Sequence, residues 1–170
     1  MSDTPSDDSN SARILRGVLT GIVAGVAASF VMDRFQAAVA ALSSDDEGGD
    51  GEPATEQAAD AIALRVVGRP VPEADKPLGG QSIHYVLGSG LGIVYAVAAE
   101  FRPAVTAGHG AAFGIVTATL LDEAAVPAAG LGPAPWKSDV PTNLYGYASH
   151  LIFGGTAEFV RRSVRTTLEV

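Results

Sequence analysis

The run from Ile14 to Met32, ILRGVLTGIVAGVAASFVM, constrains this chain more than any other feature, because it holds a single charged side chain, Arg16. A helix rises about 1.5 Å per residue, so such a run is long enough to cross a hydrocarbon core of roughly 30 Å. A soluble fold has little use for a helix that is apolar all round. A cleaved signal peptide is the alternative, with Arg13 and Arg16 as its basic region and Ala38-Val39-Ala40 as its cleavage site. The apolar run is long for that role, and Asp33-Arg34 interrupts it before the cleavage site.

Three further runs repeat the pattern. Ile83 to Ala99 is apolar and is followed by the charged turn Glu100-Phe101-Arg102-Pro103. Ala104 to Leu121 ends at Asp122-Glu123, and Thr142 to Val160 ends at Arg161-Arg162. The expected fold is therefore an all-α integral membrane bundle of about four transmembrane helices, spanning about 14–34, 82–100, 104–123 and 142–161. Residues 1–12 are Ser- and Asp-rich and read as a disordered acidic tail, with 13–170 forming the membrane domain. An external loop, 43–80, opens with an acidic, Gly-rich linker. It carries a short extramembrane helix over Ala54 to Val67, where Ala58, Ile62, Arg65 and Val66 recur at helical spacing. Ala124 to Pro141, with Pro127, Pro133, Pro135 and Pro141, reads as an irregular loop at the interface, where Trp136 and Lys137 suit the headgroup level.

Basic residues orient such a chain. Arg13 and Arg16 before the first run, Arg102 in the second turn and Arg161 to Arg165 after the last all fall on one side of a four-span arrangement. Basic flanks face the cytoplasm, which predicts a multi-pass cytoplasmic (inner) membrane protein with both termini inside. Arg65, Arg69, Lys76 and Lys137 on the other side make this a local bias.

Within lipid, small residues let helices approach. Gly17, Gly21 and Gly25 form two overlapping GxxxG steps; Gly88 and Gly92, Gly110 and Gly114, and Gly146, Gly154 and Gly155 mark the other runs. These ridges predict packing within the bundle, with homodimerisation through the first helix as the alternative. Gly88-Ser89-Gly90-Leu91-Gly92 lacks the strand and spacing of a dinucleotide loop.

Ionisable groups inside a span are costly, so each is a candidate for function. Asp33, His84, Asp122, Glu123 and, deeper, His150 fall toward the outer side, while Glu100, His109 and Glu158 fall toward the inner side near Arg102, Arg161 and Arg162. Two imidazoles and up to three carboxylates could hold a divalent metal or relay protons. Equally, Asp33, Asp122 and Glu123 could be helix-end anchors, His150 a buried histidine bonded to a neighbouring carbonyl or hydroxyl, and Glu158 a partner of Arg161 or Arg162. HExxH, GxSxG and GxxxxGK[ST] are absent, as is cysteine, which excludes thiolate ligands and a cysteine nucleophile. A net charge of -8 argues against phosphate-backbone binding. No cofactor and no nucleic acid is expected; the partners expected are the lipid bilayer and either further copies of the chain or a membrane complex.

From His84 to Arg165 the chain resembles the YagU-like family of small prokaryotic inner-membrane proteins. The resemblance rests on His84, YAVAAEFRP from Tyr95 to Pro103, Pro127 with Gly130-Leu131, Trp136, and HLIFGGTAEFVRR from His150 to Arg162. It implies a multi-span inner-membrane location and no established activity. The family carries a histidine near the position held here by Asp122. The expected role is non-enzymatic: support of ion, proton or solute movement or envelope homeostasis. The alternatives are an assembly partner in a membrane complex and, last, a membrane metalloenzyme.

Overall fold

The computed structural model describes residues 5–42 and 52–168. Residues 1–4 of the expected tail and most of the acidic linker lie outside the described residues. Four long helices run antiparallel to their neighbours: α1 (Pro5–Leu42), α3 (Lys76–Phe101), α4 (Ala111–Leu120, continued to Ala128) and α5 (Val140–Leu168). A shorter helix, α2 (Ala54–Val66), packs on the start of α3. No strand occurs among the described residues. Helix α1 starts inside the expected tail and runs past Asp33 to Leu42. Nothing in 5–12 or 33–42 breaks a helix, since Pro5 sits in the first turn, where its missing N–H costs nothing.

Helix α1 presents a narrow stripe to the bundle. Gly17, Thr20, Gly21, Ala24, Gly25, Ala28, Ser29 and Met32 are buried, at spacings of three and four. The stripe is made of small residues because α3 lies directly against it. A Cβ on Gly17 would come within 2.9 Å of Val97 Cα, and one on Gly25 within 2.8 Å of Ser89 Cα. On the other side of the bundle, Gly110 and Gly114 meet Gly154 and the His150 backbone in the α4–α5 contact. The glycine ridge of α1 is thus occupied within the chain. Larger side chains fill the centre: Met32, Tyr95 and Phe153, with Leu91, Val105 and Phe113 against them. Tyr95 and Phe113 rings lie 4.5 Å apart, inside the range of favourable aromatic pairs.

The outside is apolar and the inside is partly polar. Leu19, Ile22, Val23, Val26 and Phe30 of α1 are exposed, as are Val86 and Val94 of α3, Val116 and Leu120 of α4, and Leu144 and Phe159 of α5. Thr20, Ser29, Thr117, Ser149 and Glu158 are buried. A water-soluble bundle has the reverse distribution. Among the described residues three helical stretches are long and apolar enough to cross a membrane: Ser9–Leu42, Glu73–Phe101 and Pro103–Ala128. Helix α5 is not among them. It is 29 residues long but carries Asn143, His150, Glu158, Arg161, Arg162 and Arg165.

The ends of α4 differ from the sequence expectation. The chain enters it through a short 3-10 turn that starts at Pro103 and breaks at Ala107, after which Gly108, His109 and Gly110 all take positive φ. Only glycine takes such angles freely, and Gly110 also needs its bare Cα against Gly154. Beyond Leu120 the helix does not stop at Asp122-Glu123. It widens into a π-helical turn over Leu121–Ala125, where the Val126 N–H donates to Leu121 O, and then closes with Val126–Ala128. Pro127, expected in a loop, is therefore helical. Its ring would press on the carbonyl one regular turn back, and the wider turn relieves that contact. The end is a Schellman motif: Gly130 at φ 73 donates to Pro127 O, and Leu131 N–H donates to Val126 O at 3.0 Å. Helix α5 then starts on Asp139, whose Oδ1 accepts the Thr142 N–H at 3.0 Å. The Thr142 hydroxyl and amide hold that exposed carboxyl below the ordinary carboxylate range.

Candidate functional site

Antiparallel packing sorts the ionisable residues into two clusters at opposite ends of the bundle. The start of α1, the end of α3 and the end of α5 meet at one end. There Glu158 is 1% exposed. A carboxylate so placed needs every lone pair satisfied. It accepts from Arg161 Nε at 2.7 Å and Nη2 at 3.0 Å, from Arg162 Nε at 2.5 Å and from the Tyr95 hydroxyl at 2.8 Å. Glu100, also buried, pairs with Arg16 at 2.5 Å and with Arg165 at 3.9 Å. Arg13 donates to the Glu100 carbonyl and lies over the Phe101 ring, 4.4 Å from its centroid. Two carboxylates and five guanidinium groups thus tie α1, α3 and α5 together. His109 takes no part, being exposed in the left-handed turn before α4.

The opposite end holds a cleft of about 500 Å³. Its lining brings together Asp33 and Gln36 of α1, Gln81 and His84 of α3, Asp122 of the π-helical turn and His150 of α5. Thr55 and Glu56 from the first turn of α2 complete its rim, and Met32, Leu87, Leu91 and Phe153 form its apolar part. Of the six sequence candidates, His84, Asp122 and His150 line this cleft, Glu100 and Glu158 lie at the arginine end, and Glu123 is outside the lining.

The cleft contains two imidazole–carboxylate pairs. His150 Nδ1 lies 3.1 Å from Gly146 O and 3.2 Å from Asp122 Oδ2. A proton on Nδ1 suits both acceptors, and the Nε2 lone pair is then left over. Among the described residues Nε2 has no partner, although His150 is only 7% exposed. His84 Nε2 lies 3.1 Å from Asp33 Oδ1, but without the alignment of a hydrogen bond. Asp33 Oδ2 accepts from Gln81 Nε2 at 2.7 Å. Among the described residues no three histidines or carboxylates converge as a metal site requires.

Two contributors are not marked by the sequence pattern. Tyr95 looks like one more apolar residue of its run until Glu158 is seen against it. The first turn of α2 reaches the cleft because α2 is fastened to α3. Lys76 lies 2.9 Å from Glu73, 3.1 Å from Glu52 and 3.7 Å from Asp60, and Asp60 Oδ1 accepts the Val71 N–H at 2.9 Å.

A family model described as a protein of unknown function, DUF1440, matches residues 70–159. The matched segment runs from the approach to α3 through most of α5. It includes His84, Glu100, Asp122, His150 and Glu158 and leaves out α1 with Asp33 and Arg16. No curated protein and no solved structure matches the chain.

Proposed function

The chain belongs to the DUF1440 family of proteins of unknown function, and from that premise we propose that it is a non-enzymatic, four-span protein of the cytoplasmic membrane whose cleft receives a small solute or ion during proton-linked movement. The observation that carries this reading is that His84, Asp122 and His150, from three different helices, line one cleft. An imidazole oriented by a carboxylate through Nδ1, with Nε2 left over, is a ready proton acceptor. The π-helical turn that carries Asp122 belongs to a class of distortion frequent at functional sites.

The fourth span is supported by the course of α5. It lies antiparallel to α1 and α4, with Tyr145 stacked on Phe35 near the cleft end and Arg165 beside Glu100 at the other. Its outward residues Leu144, Leu151 and Phe159 are exposed and apolar. The arginine end then faces the cytoplasm with both termini, and the cleft faces outward. The resemblance of residues 84–165 to YagU-like inner-membrane proteins agrees with that location. An assembly role has one observation in its favour: a shallow apolar groove of Ile22, Val23, Val26, Ala27, Phe30 and Tyr85 on the outer surface of α1 and α3, open to a partner helix or a lipid chain.

The test is a His150→Ala substitution in the native host, read against deletion of the whole gene. A deletion phenotype that varies with external pH and is reproduced by His150→Ala at unchanged protein abundance is expected. Full function at normal abundance would leave the assembly reading in its place.

A further inference from the structure

The charge on the cleft points to what enters it. Asp33, Glu56 and Asp122 face it, and among the described residues no lysine or arginine is in its lining. Lys76, the nearest basic residue in sequence to the α3 lining, is held by three carboxylates of its own. The permanently charged side chains of that lining are therefore all carboxylates. A cation suits that lining as occupant, because carboxylates attract positive charge and repel an anion.

A metal ion does not fit this arrangement. Each aspartate is engaged with its own histidine on a separate pair of helices, and among the described residues no third ligand closes on either pair. The volume also exceeds that of an ion. A cleft of about 500 Å³ falls within the roughly 300–1,000 Å³ of small-molecule sites. Its apolar part includes Met32, Leu91 and Phe153, which suit an apolar body. His150 adds an independent indication. It is more than nine-tenths buried and lines the cleft, and its Nε2 lone pair has no partner among the described residues. With Nδ1 donating to Gly146 O and Asp122 Oδ2, the neutral ring offers its Nε2 lone pair to a donor on the ligand.

We propose that the cleft between α1, α3, α4 and α5 binds a protonated amine with an apolar body, its ammonium between Asp33 and Asp122 and one N–H directed to His150 Nε2. This rests on the reading of the cleft as a solute site and names the class of solute. A quaternary ammonium lacks the N–H and binds less well; an anion of the same size is repelled.

The experiment uses the full chain in phosphatidylcholine nanodiscs with three fluorinated probes followed by 19F NMR: 4-fluorobenzylammonium, 4-fluorobenzyltrimethylammonium and 4-fluorobenzenesulfonate. Expected are saturable one-to-one binding of the primary ammonium, weaker binding of the quaternary one and none of the sulfonate. Asp33→Asn and Asp122→Asn, which keep size and remove charge, should each weaken the primary ammonium at least tenfold. Glu56→Gln, at the rim and away from the bundle core, should weaken it severalfold and serves if either aspartate variant fails to fold. Equal binding of ammonium and sulfonate, or unchanged affinity in all the carboxamide variants, overturns the proposal. Sulfonate binding that is lost in His150→Gln would overturn the amine while leaving a solute site. Silence from all three probes overturns the amine and the solute site together.

Discussion

Glu158 is the residue whose surroundings leave it least freedom. It is buried between α3, the entry to α4 and α5, and receives four hydrogen bonds, three of them from guanidinium groups. Removing one partner from such a network leaves uncompensated charge, at a cost of about 3 kcal/mol or more. Glu158→Gln should therefore lower stability by about 3 kcal/mol, and Tyr95→Phe by about 2 kcal/mol, since it removes one hydrogen bond to a charged group. Denaturation of the purified protein in mixed detergent micelles measures both, and wild-type stability in Glu158→Gln would contradict the network. Part of this was legible. Arg161 and Arg162 stand three and four residues after Glu158, neighbours on one helix face. Tyr95, 63 positions away in sequence, and Arg16 with Glu100 were not, because pairing across helices depends on register that no local pattern encodes. The same limit hid the pairing of His84 with Asp33.

At the scale of the helix, spacing is informative where contact is repetitive. GxxxG steps place glycines on one stripe, and that stripe is where α1 meets α3. What spacing does not say is which glycines of a run matter. Gly92 Cβ would stand 2.7 Å from Gly25 Cα, whereas nothing lies within 4 Å of a Cβ on Gly90. Gly90→Ala should thus stabilise the protein by about 0.5–1 kcal/mol through helix propensity. Gly21→Leu should destabilise it by about 3 kcal/mol or more, because the added bulk meets the Ile93 backbone, which cannot turn aside. Val23→Leu, half-exposed on the outer face, should stay within about 0.5 kcal/mol of wild type. Thermal melting in detergent compares the three, and equal melting of the Gly21 and Val23 variants would remove the ridge from the account. Helix ends were less legible than helix faces. Pro127 signals a break by its chemistry, and only the π-helical turn before it explains how α4 continues to Ala128. That turn also sets which of Asp122 and Glu123 meets His150.

Across the whole molecule the distribution of polarity carries the argument. Apolar side chains cover the outside of the four long helices, and two polar clusters lie at opposite ends, one closed by arginine–carboxylate pairs and one open as a cleft. The apolar runs were legible because lipid demands them over a known length. The cleft was not, because it is built from residues of five helices whose meeting no local pattern encodes. For the cleft to receive an external solute it must open to external water while the arginine end faces the cytoplasm. The chain has no cysteine, so single cysteines report on this without background. Gln36→Cys lies in the cleft lining, and Ser163→Cys lies exposed at the arginine end. In intact cells a membrane-impermeant maleimide should label Gln36→Cys and leave Ser163→Cys unlabelled until the membrane is permeabilised. Labelling of Ser163→Cys in intact cells, with Gln36→Cys protected, would contradict the account.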